Sequence, residues 1–258
     1  PDHQEMLIQA FIELANTGNS QIILTTHTPA LAGLLPLQSL RFIEKTIDDR
    51  NIELGTEEVF EKIAQTLGVL ADPIPKNATA IILIEGKSDV AFFNHTVNQL
   101  KNAGHLNHTF QEKRIALVPI GGCGNLKHWQ TLRLVDQFQI PYCVLLDSDK
   151  GTNEEQKNID TITDLVQNGI KAYVTKKREP ENYIHLDCLH LPAGSVFALT
   201  DTCDAKVLIA NEKSTKKELI LEKFWTRMTA DQIREVEQYD DNGITRYEFS
   251  EMFQDFLN

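Results

Sequence analysis

Four carboxylates in this chain stand where acids can do more than dissolve a surface. The apolar run Ile81–Ile84 stops at Glu85, Gly86 follows, and Asp89 comes shortly after; farther on, Leu145–Asp149 reads LLDSD, placing Asp147 and Asp149 two apart. A carboxylate at the C-terminal tip of a buried strand lies where open α/β sheets bind their ligands. Asp89 is expected one turn into the following helix, facing the same crevice as Glu85. In an extended segment Asp147 and Asp149 would project to one side. Hard oxygen ligands of this kind suit Mg²⁺ or Mn²⁺. Two such ions about 4 Å apart can polarise a phosphoryl oxygen, activate water and neutralise a leaving oxyanion. Strand-end acids also start turns and cap helices, and it is the pairing of the two motifs that argues for chemistry.

The elements that must position these acids follow from hydrophobic periodicity. Strands are expected at Ala80–Ile84, Ile115–Ile120, Tyr142–Leu146 and Ile170–Val174. Between them lie helices with apolar faces at Val90, Phe93, Val97 and Leu100, at Leu126, Trp129, Leu132 and Val135, and at Ile159, Ile162 and Leu165. Strand–helix alternation implies a mainly parallel sheet flanked by helices, an α/β Rossmann-like fold. Its strand ends share one edge, so Glu85, the glycine turn Gly121, Gly122 and Gly124, and Asp147 should converge there. Upstream, a helical stripe at Leu7, Ala10, Phe11 and Leu14 precedes an expected strand at Gln21–Thr25. Leu40–Lys45 and Asn51–Leu54 read as two further strands, and Val59, Phe60, Ile63 and Leu67 as a helix face. The prolines of Asp72–Pro75 mark a boundary. The expected organisation is 1–75, 76–190 and a mainly helical 191–258, with capping boxes at Thr229/Gln232 and Thr245/Glu248.

The composition narrows the class. With 258 residues, 41% of them hydrophobic, the chain can bury one large or two ordinary cores. No apolar run reaches the ~20 residues of a bilayer span, and no basic-then-apolar leader is present, so a cytoplasmic protein without a membrane partner is expected. Cys123, Cys143, Cys188 and Cys203 lack CxxC spacing and read as reduced thiols. A net charge of −12 speaks against a broad nucleic-acid-binding surface but not against acids gathered round metal ions. Pro1 is not an initiator methionine, and a fragment of a longer protein is expected.

Several stretches resemble known families. TTHTP at Thr25–Pro29 resembles the switch-histidine motif of ABC-type ATPases, in which His27 would contact the γ-phosphate of ATP, and PDHQE resembles the segment after their Walker B acids. The phosphate loop GxxxxGK[ST] is absent, because Gly86–Lys87–Ser88 has no glycine five residues upstream. Strand-Glu-Gly followed by strand-Asp-x-Asp resembles the Toprim fold of topoisomerases, primases and nucleases. An ATPase tail placed before a Toprim domain is similar to the OLD (overcoming lysogenization defect) family, and the resemblance covers roughly residues 1–187. It implies a metal-dependent DNA endonuclease, coupled in the complete protein to an ATPase that binds ATP and forms a homodimer. It further implies an extra acid in REPENY, Arg178–Tyr183, with Glu181 first and Glu179 second, and a downstream lysine, Lys213, with Lys216 and Lys217 as competitors. On this reading Glu85 and Asp147 hold one ion or bridge two, Asp89 and Glu181 hold the second, Asp149 supports them, and the lysine stabilises charge on the scissile phosphate.

Rival readings remain for three segments. LLDSDKGT resembles the nucleophile motif of haloacid-dehalogenase-like phosphatases, with Asp147 attacking phosphate, although Lys150 intrudes before Gly151. DDNGITRYEF, Asp240–Phe249, has its acid five residues after Gly243 where a calcium loop requires six, and is expected to be structural. His185, Cys188 and His190 lack a matching second pair and read as packing. Lys176–Arg178 with Lys206, Lys213, Lys216 and Lys217 form the candidate DNA-contacting surface. A non-catalytic Toprim module that binds DNA or a partner is the alternative from another class.

Overall fold

The computed structural model describes residues 2–18, 20–26, 35–45, 50–56, 59, 62–63, 77–121, 126 and 140–258. The chain divides into two compact units, Pro1–Ile74 with Ile120–Ile140, and Pro75–Pro119 with Pro141–Asn258. His27, the glycines at 122 and 124, Cys123, the boundary prolines and most of the expected helix at 126–135 lie outside the described residues.

In the first unit, α1 spans Asp2–Thr17 and an antiparallel pair joins β1 (Arg41–Lys45) to β2 (Arg50–Leu54), with Ile43 opposite Ile52. The expected helix face is corrected: Leu7 and Leu14 are half exposed, whereas Ile8 is buried. Gln21–Thr25 forms no strand. A strand exists only in a ladder, and β1 and β2, the strands of this unit among the described residues, are paired with each other; Ile23 and Leu24 are exposed. Val59 and Ile63 of the expected helix face are buried, and Phe60 and Leu67 lie outside the described residues.

The second unit is built on a four-stranded sheet. β3 (Ala80–Ile84), β4 (Ile115–Pro119), β5 (Tyr142–Leu146) and β6 (Lys171–Val174) are all parallel, in the order β4-β3-β5-β6. Parallel strands need long crossovers. α2 (Asp89–Asn102) lies between β3 and β4 in the chain, and α3 (Glu155–Gln167) between β5 and β6. Residues 81–84 and 143–146 are continuous buried runs, the pattern of strands covered on both faces. On α3 the buried stripe is Asn158, Ile162 and Leu165 rather than the expected Ile159, Ile162 and Leu165. A polar residue is thus buried on the sheet-facing side.

The C-terminal region packs on α2. It contains α4 (Ala205–Lys213), α5 (Ile220–Lys223), α6 (Ala230–Val236), the hairpin β7 (Gln238–Asp241) and β8 (Ile244–Tyr247), and α7 (Glu248–Leu257). Phe92 on α2 meets Trp225 at 4.7 Å and Phe249 at 5.0 Å between ring centroids, mostly edge to face. The Trp225 indole N–H donates to Thr96 Oγ1 at 2.9 Å, so the ring's polar atom is satisfied inside the core. Thr229 and Gln232 form the expected capping box. The box at Thr245 and Glu248 does not form: Thr245 is paired with Asp240 in the hairpin, and α7 starts at Glu248 without a side-chain cap. Asn242 and Gly243, both at positive φ, supply the tight turn that an Asn-Gly pair favours between two strands, and this outweighs the capping signal.

Candidate metal centre

β3 and β5 are sheet neighbours whose following elements diverge, since β4 lies on one side of them and β6 on the other. This is the switch point of an open α/β sheet, and the crevice outside the strand ends is where such sheets bind their ligands. Glu85 and Asp147 stand at those two ends. The backbone N–H of Asp147 donates to Glu85 Oε1 at 2.9 Å, so the side chain of one strand end is clamped to the backbone of the other.

Asp89 is buried at the first position of α2, not one turn into it. Its Oδ2 accepts the Gly86 N–H at 2.8 Å and its Oδ1 the Ser88 hydroxyl at 3.3 Å, so it closes the turn while facing the same crevice. Negative charge is favoured there by the helix dipole.

The Asp147–Asp149 loop is lashed on both sides. Ser148 N–H donates to Thr175 Oγ1 at 2.9 Å, and the Ser148 hydroxyl to the Lys177 carbonyl at 2.7 Å. Asn158 Nδ2 donates to the Asp147 carbonyl at 3.1 Å and to Asp149 Oδ2 at 2.9 Å. Asp149 has φ 50°, in the left-handed region, so the segment is not extended and the same-side argument from spacing fails.

After β6, a 3-10 turn at Pro180–Tyr183 brings in Glu179 and Glu181. Their environments differ sharply. Glu179 closes a capping box with Asn182, accepts the Lys206 backbone N–H at 3.1 Å and pairs with the Lys206 ammonium at 3.1 Å. Glu181 is fully buried, and neither of its oxygens has a hydrogen-bond donor. A satisfied carboxylate is an anchor, whereas a buried one lacking donors is poised for a cation.

The lysine among these acids is Lys206, at the start of α4, where Asp204 caps the helix by accepting Val207 N–H. Its ammonium lies 3.1 Å from Glu179, 3.5 Å from Glu181 and 4.0 Å from Asp147. Lys213, the residue expected in this role, is directed elsewhere, its Nζ 3.4 Å from the His190 carbonyl oxygen, while Lys216 and Lys217 are exposed. Lys206 stands one residue into a helix capped by Asp204, and this cap is the sequence signal that could have found it.

The electrostatics report crowding. Burial, then the Glu85 and Asp89 charges, raises Asp147 well above the carboxylate range; burial with the Asp149 and Asp89 charges brings Glu85 to about 7. Burial, opposed by Lys206, brings Glu181 to about 8. Burial disfavours the Lys206 charge, but the carboxylates of Glu181, Asp147 and Glu179 more than reverse that and raise it. As the side chains stand, no three acids, histidines or cysteines among the described residues close into a finished ligand cage. The donor set nevertheless fits a hard divalent cation: it is all oxygen, it is crowded with like charge, and neither Glu181 oxygen accepts a hydrogen bond, its cationic neighbour being the Lys206 ammonium at 3.5 Å. His185, Cys188 and His190 gather no such set; Cys188 is buried with its thiol 3.6 Å from Gln232 Oε1.

No helix of the described residues is long and apolar enough to cross a membrane. No curated protein matches the chain. Residues 78–149, which carry Glu85, Asp89, Asp147 and Asp149, match the family described as overcoming lysogenization defect protein-like, TOPRIM domain. The parallel sheet with acids at the ends of β3 and β5, and the match over those residues, agree: the chain carries an OLD-like Toprim domain.

Proposed function

We propose that this domain is a divalent-metal-dependent nuclease acting on DNA. The observation that carries the reading is the convergence of Glu85, Asp89, Asp147, Asp149 and Glu181 on one crevice, with the Glu181 carboxylate buried and accepting no hydrogen bond. Glu85 and Asp147 would hold one Mg²⁺ or Mn²⁺ ion, Asp89 and Glu181 a second, and Asp149 would support the first. Bound there, such ions supply the Lewis acidity that phosphodiester hydrolysis needs. The chain's own groups do the rest. Glu179 grips the Lys206 backbone and ammonium together, so it serves as the anchor of that lysine rather than as a ligand. Lys206, not Lys213, then meets negative charge developing on the phosphate. The Gly86 and Ser88 donors fix Asp89, and the Asp147 N–H fixes Glu85, so neither acid must be ordered when substrate arrives.

The N-terminal unit is read as the tail of an ABC-type ATPase, with His27 contacting ATP, and a homodimer forming, only in a complete protein. Cytoplasmic location accompanies this reading. The test is conversion of supercoiled plasmid to nicked or linear form by the purified chain. Conversion with Mg²⁺ or Mn²⁺ and none in excess EDTA supports the nuclease; undiminished cleavage in EDTA overturns it.

A further inference from the structure

We propose that Asn158 is a positioning residue whose side-chain amide sets the orientation of the Asp149 carboxylate for a divalent ion. The inference rests on the metal-centre reading and extends it to a residue on α3, beyond the matched segment. Asn158 is 1% exposed, on the same buried stripe as Ile162 and Leu165, where an apolar side chain would be the ordinary choice. It places both bonds of its amide nitrogen on the acid loop, one on the Asp147 carbonyl and one on Asp149 Oδ2.

The loop backbone has other restraints: Ser148 ties it to Thr175 and Lys177, and Asp149 N–H donates to the Arg178 carbonyl at 3.0 Å. Among the described residues the Asp149 side chain has none comparable. Its left-handed backbone, at φ 50°, turns the carboxylate away from the direction an extended segment would give it. Asn158 therefore engages one oxygen and leaves the other for the crevice, where the charge of Asp149 is felt by Glu85. Partners of this kind orient metal-ligating carboxylates, and their removal costs roughly 10–100-fold in metal affinity.

The experiment measures Mn²⁺ binding from the electron paramagnetic resonance signal of the free ion, for the full chain, Asn158→Leu, Asp149→Ala and the double variant. Leucine nearly matches asparagine in shape and suits the apolar stripe, so the fold should persist. Asn158→Ala serves the same comparison if the leucine variant does not fold. The expected result is a loss of roughly 10–100-fold in affinity for Asn158→Leu. Thermal unfolding in EDTA should be little changed, and the substitution should add no loss in the Asp149→Ala background, because the effect passes through Asp149. A merely structural asparagine would give losses that multiply in the double variant, and that outcome overturns the inference. So does unaltered Mn²⁺ binding by Asn158→Leu. An unsubstituted chain that binds no Mn²⁺ overturns the metal-centre reading itself.

Discussion

Replacing Lys206 by methionine should convert the acid cluster into a source of instability whose size depends on pH. The ammonium lies 3.1, 3.5 and 4.0 Å from the carboxylates of Glu179, Glu181 and Asp147. At an effective dielectric constant of ~20, each separation corresponds to roughly 4–5 kcal/mol of gross attraction. Much of that is offset by removing the charges from water, so the expected net loss on breaking the set is about 3–5 kcal/mol. For a domain of this size that is roughly 6–20 °C in Tm. Lys206 lowers the pKa values of Glu85, Asp89, Asp147 and Glu181, all of which burial raises. Without it they rise further, so the carboxylates remain protonated at low pH and the loss shrinks there. The cost should be small near pH 4.5, the ordinary glutamate value, and should grow through about 8, where Glu181 sits even with its lysine. The assay is denaturant or thermal unfolding of Lys206→Met and the parent in EDTA across that range, repeated with Mg²⁺. Divalent ions should recover much of the lost stability, while plasmid cleavage should stay lost. A loss of stability that does not vary with pH, or none at pH 8, would refute the electrostatic reasoning.

Glu181→Gln should leave stability in EDTA at pH 8 unchanged or raise it by about 1 kcal/mol, since the burial of its charge outweighs the Lys206 ion pair at 3.5 Å, and should abolish the rise in Tm produced by Mn²⁺; a destabilised variant that still responds to Mn²⁺ would contradict this. Glu248 is buried at the start of α7, where its carboxylate accepts Tyr183 O–H and Lys176 N–H, each near 2.7–2.8 Å, and burial brings it to about 7. A carboxylate raised in the folded state is neutral at no cost below about 4.5 and charged at a cost above about 7, so stability in EDTA should fall as pH rises between them. In Glu248→Gln that fall should be smaller by about 3 kcal/mol, read from unfolding curves at pH 5 and pH 8, and an identical slope in the two proteins would count against it. Because the phosphate loop is absent, the chain alone should hydrolyse no ATP; turnover that persists through purification and vanishes on His27→Ala would argue otherwise.

The central strands β3 and β5 were legible because they are buried on both faces and therefore read as short apolar runs ending in acids. Ala80–Ile84 and Tyr142–Leu146 fall where periodicity puts them. So the sheet-edge positions of Glu85 and Asp147 could be read before any geometry. Features made by tertiary contact could not. The left-handed turn at Asp149 is tied by its own N–H to the Arg178 carbonyl, and Lys206 is brought to the acids by Glu179, with Asn182 holding the Thr200 and Cys203 carbonyls just ahead of α4. Lys213, Lys216 and Lys217 are equally plausible as bare sequence, and the one local signal that sets Lys206 apart is the Asp204 cap just before it. The Asn242-Gly243 hairpin is readable as a turn signal and prevails over an incidental Thr/Glu spacing, and Gln21–Thr25 forms no strand because β propensity without a partner ladder among the described residues makes none.

Glu85→Gln bears most directly on the central claim, that the acids at the ends of β3 and β5 form one metal-holding set that cleaves DNA. Glutamine keeps the shape of Glu85, and its carbonyl can still accept the Asp147 N–H, so the sheet edge should stay intact. Mn²⁺ binding and plasmid cleavage should be lost together, as they should for Asp147→Asn, with no phosphoaspartate trapped at Asp147 from phosphomonoesters. A Glu85→Gln chain that cleaves plasmid at the full rate, or a covalent phosphate at Asp147, would contradict the account.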